Sequence, residues 1–125
     1  MGETTCKVFT PLEIVKYMLD KIGYIHNLYG KKILENSCGT GHFLGEITRR
    51  YIIDARKNGK TDQEIKQGLE RDVYGIEKEK DIYDICLNNL DNIAAQFGIK
   101  DVKWNVQLND ALKLKIEPIY QFVVG

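Results

Sequence analysis

The sequence has no surplus of charge of either sign, since 18 Lys+Arg stand against 18 Asp+Glu in its 125 residues. That balance argues against a disordered acidic tail. It also supplies no broad cationic field for holding a polyanion, so a nucleic-acid partner would take its main grip elsewhere. Cysteine is scarce as well. Cys6, Cys38 and Cys86 are too few and too widely spaced for a disulfide framework or for paired metal ligands, so no metal site is expected and a reducing compartment follows. No apolar run approaches the ~20 residues that a membrane-spanning helix needs. The N-terminal stretch Met1-Gly2-Glu3-Thr4-Thr5-Cys6 lacks the apolar centre of a secretory signal, and Cys6 stands where a myristoylation signal needs Ser or Thr. The expectation is a cytoplasmic protein without membrane contact. Internal repeats and low-complexity segments are missing too, and the length suits one soluble domain or part of one, since domains most often run to roughly 100–150 residues.

What is present is a regular alternation of helical and strand patterns. Leu12, Val15, Leu19 and Ile22 recur at helical spacing, with Ile14 and Met18 beside them, which predicts an amphipathic helix from about Pro11 to His26. Thr10 as N-cap, Pro11 at the first helical position and Glu13 completing a capping box mark its start. Ile33-Leu34-Glu35 reads as a short buried strand running into Asn36-Ser37-Cys38-Gly39-Thr40-Gly41, after which Phe43, Leu44, Ile47 and Tyr51 predict a second helix. Arg56-Lys57-Asn58-Gly59-Lys60 breaks that helix, and Thr61 with Glu64 offers a capping box for a short polar helix ending near Glu70, read as a surface excursion. Asp72 to Glu77 is the next strand. Ile82, Cys86, Leu90, Ile93 and Phe97 mark a long helix that Gly98 stops, Val102 to Leu108 alternates as a strand ending at Asn109-Asp110, and Phe122-Val123-Val124 is a fourth strand. Strands alternating with helices predict an α/β fold with a parallel sheet, whose right-handed connections place ligands at the carboxyl ends of the strands.

The chemistry concentrates in Glu35-Asn36-Ser37-Cys38-Gly39-Thr40-Gly41. Glycines at 39 and 41 permit positive φ and close approach of backbone to a ligand, while the following helix offers unpaired N–H groups. The glycines alone equally describe an ordinary tight turn. Each later strand, however, ends in a carboxylate, Glu77 and then Asp110, and a parallel sheet would bring both to the edge that carries the glycine turn. An acid at the end of the second strand suits the two hydroxyls of a ribose, and Asp110 is placed to accept from an adenine amine, although taken singly it is also a solvated strand-end charge. A dinucleotide loop would show a third glycine, where Leu44 stands, and a phosphate loop would show Gly-Lys-Ser/Thr, where His42 follows Gly41. With Glu35 opening the turn and no basic residue in it, a cationic or amine-bearing ligand fits better than a pyrophosphate.

In their order and content, Lys7-Val8-Phe9-Thr10-Pro11, Ile33-Leu34-Glu35-Asn36-Ser37-Cys38-Gly39-Thr40-Gly41-His42-Phe43-Leu44, Gly75-Ile76-Glu77 and Asn109-Asp110-Ala111-Leu112 resemble the N-terminal part of the gamma-type adenine-N6 DNA methyltransferases of bacterial restriction-modification systems. The resemblance spans essentially the whole chain. It implies a Rossmann-like class I methyltransferase sheet, incomplete, with the first four strands and an N-terminal helix, and S-adenosylmethionine as cofactor. It implies that Phe9 and Thr10 contact the methionine end, that Glu35 and Gly39 line the amino-acid portion, that Glu77 binds the ribose hydroxyls and that Asp110 binds the adenine amine. Cys38, Gly41, Lys78 and Ala111 join them as cofactor-binding positions, Cys38 as a small packing residue, and His42 is given no role. The family commonly has Asp-Pro where Glu35-Asn36 stands here, and often Asp where Gln121 stands; the stretch from Arg56 to Arg71 looks like an insertion.

In such enzymes an Asn-Pro-Pro-aromatic sequence, which holds a flipped-out adenine, follows the fourth strand, and here it would come after Gly125. The expectation is therefore residues 1–125 as a cofactor-binding part with no catalytic residue of its own, inactive alone, meeting DNA through a C-terminal part and working with or fused to a restriction endonuclease. Two other readings keep the same residues: a methyltransferase acting on RNA, protein or a small molecule, and a non-catalytic binding module that self-associates through the exposed last strand.

Overall fold

The computed structural model describes residues 11–36, 41–110 and 119–124. Its four strands fall on the apolar runs: β1 (Ile33–Glu35), β2 (Val73–Glu77), β3 (Asn105–Leu108) and β4 (Phe122–Val124). All are parallel, in the order β3-β2-β1-β4. The predicted α/β class and parallel sheet are therefore what the chain forms. Because the chain lays β2 and β3 on one side of β1 and then returns to lay β4 on the other, a topological switch point lies between β1 and β4.

The helices are α1 (Leu12–Lys21), α2 (His42–Lys57), α3 (Asp62–Asp72) and α4 (Lys80–Gln96). α2 is the hub and packs against α1, α3 and α4. Val15 and Leu19 of α1, Leu44, Ile47 and Ile52 of α2, Ile65 and Leu69 of α3 and Leu90 of α4 share one buried cluster with Ile33 of β1. Removing such an aliphatic side chain from water is worth ~2 kcal/mol before the entropy of ordering is charged against it.

Three predicted features differ in the structure. α1 ends at Lys21, short of His26, because Gly23 takes φ +83° and closes a Schellman motif in which the Gly23 N–H donates to Asp20 and the Tyr24 N–H to Leu19. Its N-cap is Pro11, with no side-chain cap, and Thr10 lies outside the described residues. The stretch after Lys60 is no surface excursion. α3 does begin with the predicted capping box, Thr61 Oγ1 accepting from the Glu64 N–H at 3.1 Å and Glu64 Oε1 from the Thr61 N–H at 2.9 Å, but it buries Ile65, Gly68, Leu69 and Asp72. A Cβ on Gly68 would collide with the Tyr51 hydroxyl and meet the Tyr29 ring at 2.8 Å, so α3 presses onto α2 as closely as glycine permits. β3 begins at Asn105, later than Val102, because the Lys103 N–H donates to Glu70 of α3 at 2.9 Å and so leaves the sheet ladder.

Candidate functional site at the carboxyl edge of the sheet

Parallel pairing fixes where the predicted residues meet. Glu35 ends β1 opposite Gly75 of β2 and Val124 of β4, and Glu77 ends β2 opposite Leu108 of β3. The ladder runs one step further on both sides, the Asn36 N–H donating to the Val124 carbonyl at 2.9 Å and the Asn109 N–H to the Glu77 carbonyl at 2.8 Å. Glu35, Glu77 and Asp110 therefore share one edge, the carboxyl edge, as a parallel sheet requires. Strand periodicity puts Glu77 on the same face as Gly75, and a Cβ on Gly75 would lie 2.6 Å from Leu44 Cδ1 of α2. The two acids thus lie on the helix-covered side.

Both are buried, Glu35 at 6% and Glu77 at 3% exposure. Glu77 Oε2 accepts from the Glu79 N–H at 3.0 Å, which ties the carboxylate to the start of α4. Glu79 is the N-cap of that helix and has no side-chain cap of its own, so the preceding strand's terminal acid braces the helix start. Lys78 is exposed beside it. Asp110, half-buried, lies two residues past β3, and its backbone N–H donates to Asn109 Oδ1 at 2.8 Å.

Gly41 closes the glycine turn as the N-cap of α2, with φ +101° and ψ 18°, a left-handed conformation that a side chain would strain. Its carbonyl accepts from the Gly45 N–H at 2.6 Å, which starts the helix. His42 is exposed at the first helical position and has no role in the expected site. Phe9, Thr10, Cys38, Gly39 and Ala111 lie outside the described residues. Gln121, a departure from the family pattern, sits just before β4 at the opposite, amino edge, where its Oε1 accepts from the Lys32 N–H at 2.6 Å. That departure bears on how β1 and β4 are tied and leaves the site's edge untouched.

A residue that sequence reasoning placed only in the apolar stripe of α4 belongs to this neighbourhood. Cys86 is buried, and a Cβ on Gly41 would stand 3.2 Å from its Sγ. Burial, then the charges of Glu35 and Glu77, push its thiol up to about 12, so both acids act on one sulfur. Its spacing from Glu77 gave no signal for this, because the contact with Gly41 is made across two connections.

Among the described residues a groove of about 470 Å³ opens next to the glycine turn, between α1, α2 and α4, lined by Leu12, Lys16, Gly41, His42, Asn89 and Ile93 among others. It reaches Gly41 from the helical side and includes neither acid. Among those residues no helix is long and apolar enough to cross a membrane. Compared with known families, residues 1–119 match the model described as N-6 DNA Methylase. No curated protein matches the chain.

Proposed function

The chain belongs to the N-6 DNA methylase family, and from that premise we propose that it binds S-adenosylmethionine at the carboxyl edge of the sheet for site-specific methylation of adenine N6 in DNA, in a restriction-modification system. The observation that carries the reading is the pair of buried carboxylates, Glu35 and Glu77, at the ends of adjacent parallel strands beside the Gly41 turn. Two buried acids of like sign at adjacent strand ends make their surroundings negative, and that suits a ligand bearing an ammonium and a sulfonium charge. Bound there, S-adenosylmethionine supplies an electrophilic methyl group for transfer to an amine.

The residues of this chain hold and orient. Glu77, its Oε2 braced by the Glu79 N–H, accepts from the ribose hydroxyls, and Asp110 accepts from the adenine amine of the cofactor. Glu35 and Gly39 line the amino-acid portion, Phe9 and Thr10 contact the methionine end, and Cys38, Gly41, Lys78 and Ala111 complete the surroundings. The acceptor adenine would be held past the carboxyl end of β4, beside β1 across the switch point. On this reading residues 1–125 take up the cofactor, and they contain no Asn-Pro-Pro-aromatic sequence to hold the acceptor.

The test is calorimetric titration of the chain with S-adenosylhomocysteine, paired with a methyl-transfer assay on DNA, RNA and protein for a form extended past Gly125. Binding together with transfer to DNA adenine is expected. A titration without binding heat, or transfer to another acceptor, overturns it. A second reading, pairing of β4 with another chain, is favoured by its outer position in the described sheet and by the half-exposed Val123. A monomer by light scattering at high concentration excludes that pairing.

A further inference from the structure

Cys86 sits in the second turn of α4 with 2% of its surface exposed. Gly41 faces it. A Cβ on Gly41 would come within 3.2 Å of the sulfur, 3.5 Å of the Cys86 Cα and 3.6 Å of its carbonyl oxygen, so the N-cap of α2 rests on the backbone of α4 and not only on a side chain. Gly41 is fixed from its other side as well, by its left-handed φ and by the hydrogen bond its carbonyl accepts from Gly45. An N-cap held in that way passes a displacement on to its neighbours, as interiors packed to crystal density do. The neighbours in question are the strand ends, because α2 and α4 both pack on β2, where a Cβ on Gly75 would lie 2.6 Å from Leu44 Cδ1, and the charges of Glu35 and Glu77 reach the Cys86 thiol.

We propose that Cys86 is a positioning residue for the cofactor: its small side chain sets the separation between Gly41 and α4, and through it the place of the α2 N-terminus beside the strand ends that carry Glu35 and Glu77. The inference rests on the cofactor reading above. A larger side chain at position 86 lifts the turn away from the strand edge while the acids stay anchored in the sheet. The thiol itself supplies no chemistry to this role; its volume does, so alanine replaces it and branched residues do not.

The test is calorimetric titration of the 125-residue chain with S-adenosylhomocysteine for wild type, Cys86→Ala, Cys86→Val, Cys86→Leu and Ala94→Val, with the thermal midpoint of each. Ala94 is buried about two turns further along the same face of α4 and serves as a packing control. Cys86→Ala is expected to bind within about twofold of wild type, and Kd to rise through Cys86→Val to roughly tenfold or more in Cys86→Leu. Ala94→Val is expected to lower the midpoint and leave Kd alone. Should Cys86→Leu not fold, Cys86→Val carries the comparison. Wild-type affinity in the enlarged variants, or a Kd that follows the midpoint in Ala94→Val as well, overturns the inference alone. Absence of binding by wild type overturns the cofactor reading and this inference with it.

Discussion

The two edges of the sheet both bury carboxylates, and they surround them in opposite ways. At the amino edge, Asp72 is fully enclosed and meets charge of the other sign: Arg71 donates to it through Nε and Nη2 at 2.8 Å, Tyr51 through its hydroxyl at 2.5 Å, the Gly30 N–H at 2.7 Å, and the Lys32 ammonium stands 3.9 Å away. Asp54 nearby receives the Leu28 N–H at 2.9 Å and the Asn27 N–H at 3.3 Å. At the carboxyl edge, Glu35 and Glu77 put two charges of like sign around the Cys86 thiol. A buried acid answered by its own chain holds elements together. At the strand ends Glu77 is also held, by the Glu79 N–H, but the second buried acid beside it has the same sign, an arrangement that a positive or hydrogen-donating ligand would stabilise, and burial by itself does not tell the two situations apart.

The contrast is broken most directly by exchanging which edge is damaged. Asp72→Ala leaves the Tyr51 hydroxyl and the Gly30 N–H without their acceptor, and a loss of ~3 kcal/mol in unfolding free energy is expected from urea denaturation, with S-adenosylhomocysteine affinity unchanged in the molecules that remain folded. Glu77→Ala is expected to do the reverse, weakening S-adenosylhomocysteine by ~2 kcal/mol, the scale of a hydrogen bond to a charged group, with a smaller effect on unfolding. Equal affinity for wild type and Glu77→Ala in calorimetry would remove Glu77 from the site. Acid sharpens the comparison with a smaller effect. Burial alone would raise Asp72, but the Arg71 fork, the Tyr51 hydroxyl and the Gly30 amide outweigh it and hold the carboxyl below its ordinary value. A folded-state pKa lower than the unfolded one gives stability that is present above the unfolded value, ~4, and is lost as pH falls through the folded one. Urea midpoints should therefore drop below that pH, and less so in Asp72→Asn. Smallest is Tyr24→Phe. The Tyr24 hydroxyl is buried near Asp72 and Asp54 and has no hydrogen-bond partner among the described residues, so its removal is expected to be neutral or to raise stability by up to ~1 kcal/mol. A loss larger than that on thermal unfolding would mean that the phenol is bonded after all.

The carboxyl edge was far more legible in the sequence than the amino edge. Local pattern fixes a strand such as Ile33–Glu35 and a helix start such as the one at Gly41, and parallel pairing then brings Glu35, Glu77 and Asp110 together with no further information. The amino edge is built from pairs far apart in the chain, Gly30 with Asp72, Leu28 with Asp54 and Lys32 with Gln121, for which no spacing rule exists. α3 misled for a related reason. Its composition is polar, and the apolar positions it buries are Ile65, Leu69 and the bare Cα of Gly68, too narrow a stripe to announce a buried helix. The Gly41–Cys86 contact escaped because a missing side chain leaves no pattern.

The junction between α3 and β2 has no loop. Asp72 is the last residue of the helix and Val73 the first of the strand, so the amino-edge anchor and the carboxyl-edge acid are joined by five residues of one extended segment, ~17 Å at ~3.3 Å per residue. β2 is thus a ruler with its zero pinned by Tyr51, Gly30 and Arg71 and its last graduation at Glu77. A ruler of this kind is more sensitive to the number of its residues than to the outward side chains it carries, because one added residue would both carry Glu77 past its present place at the carboxyl edge and turn it to the opposite face.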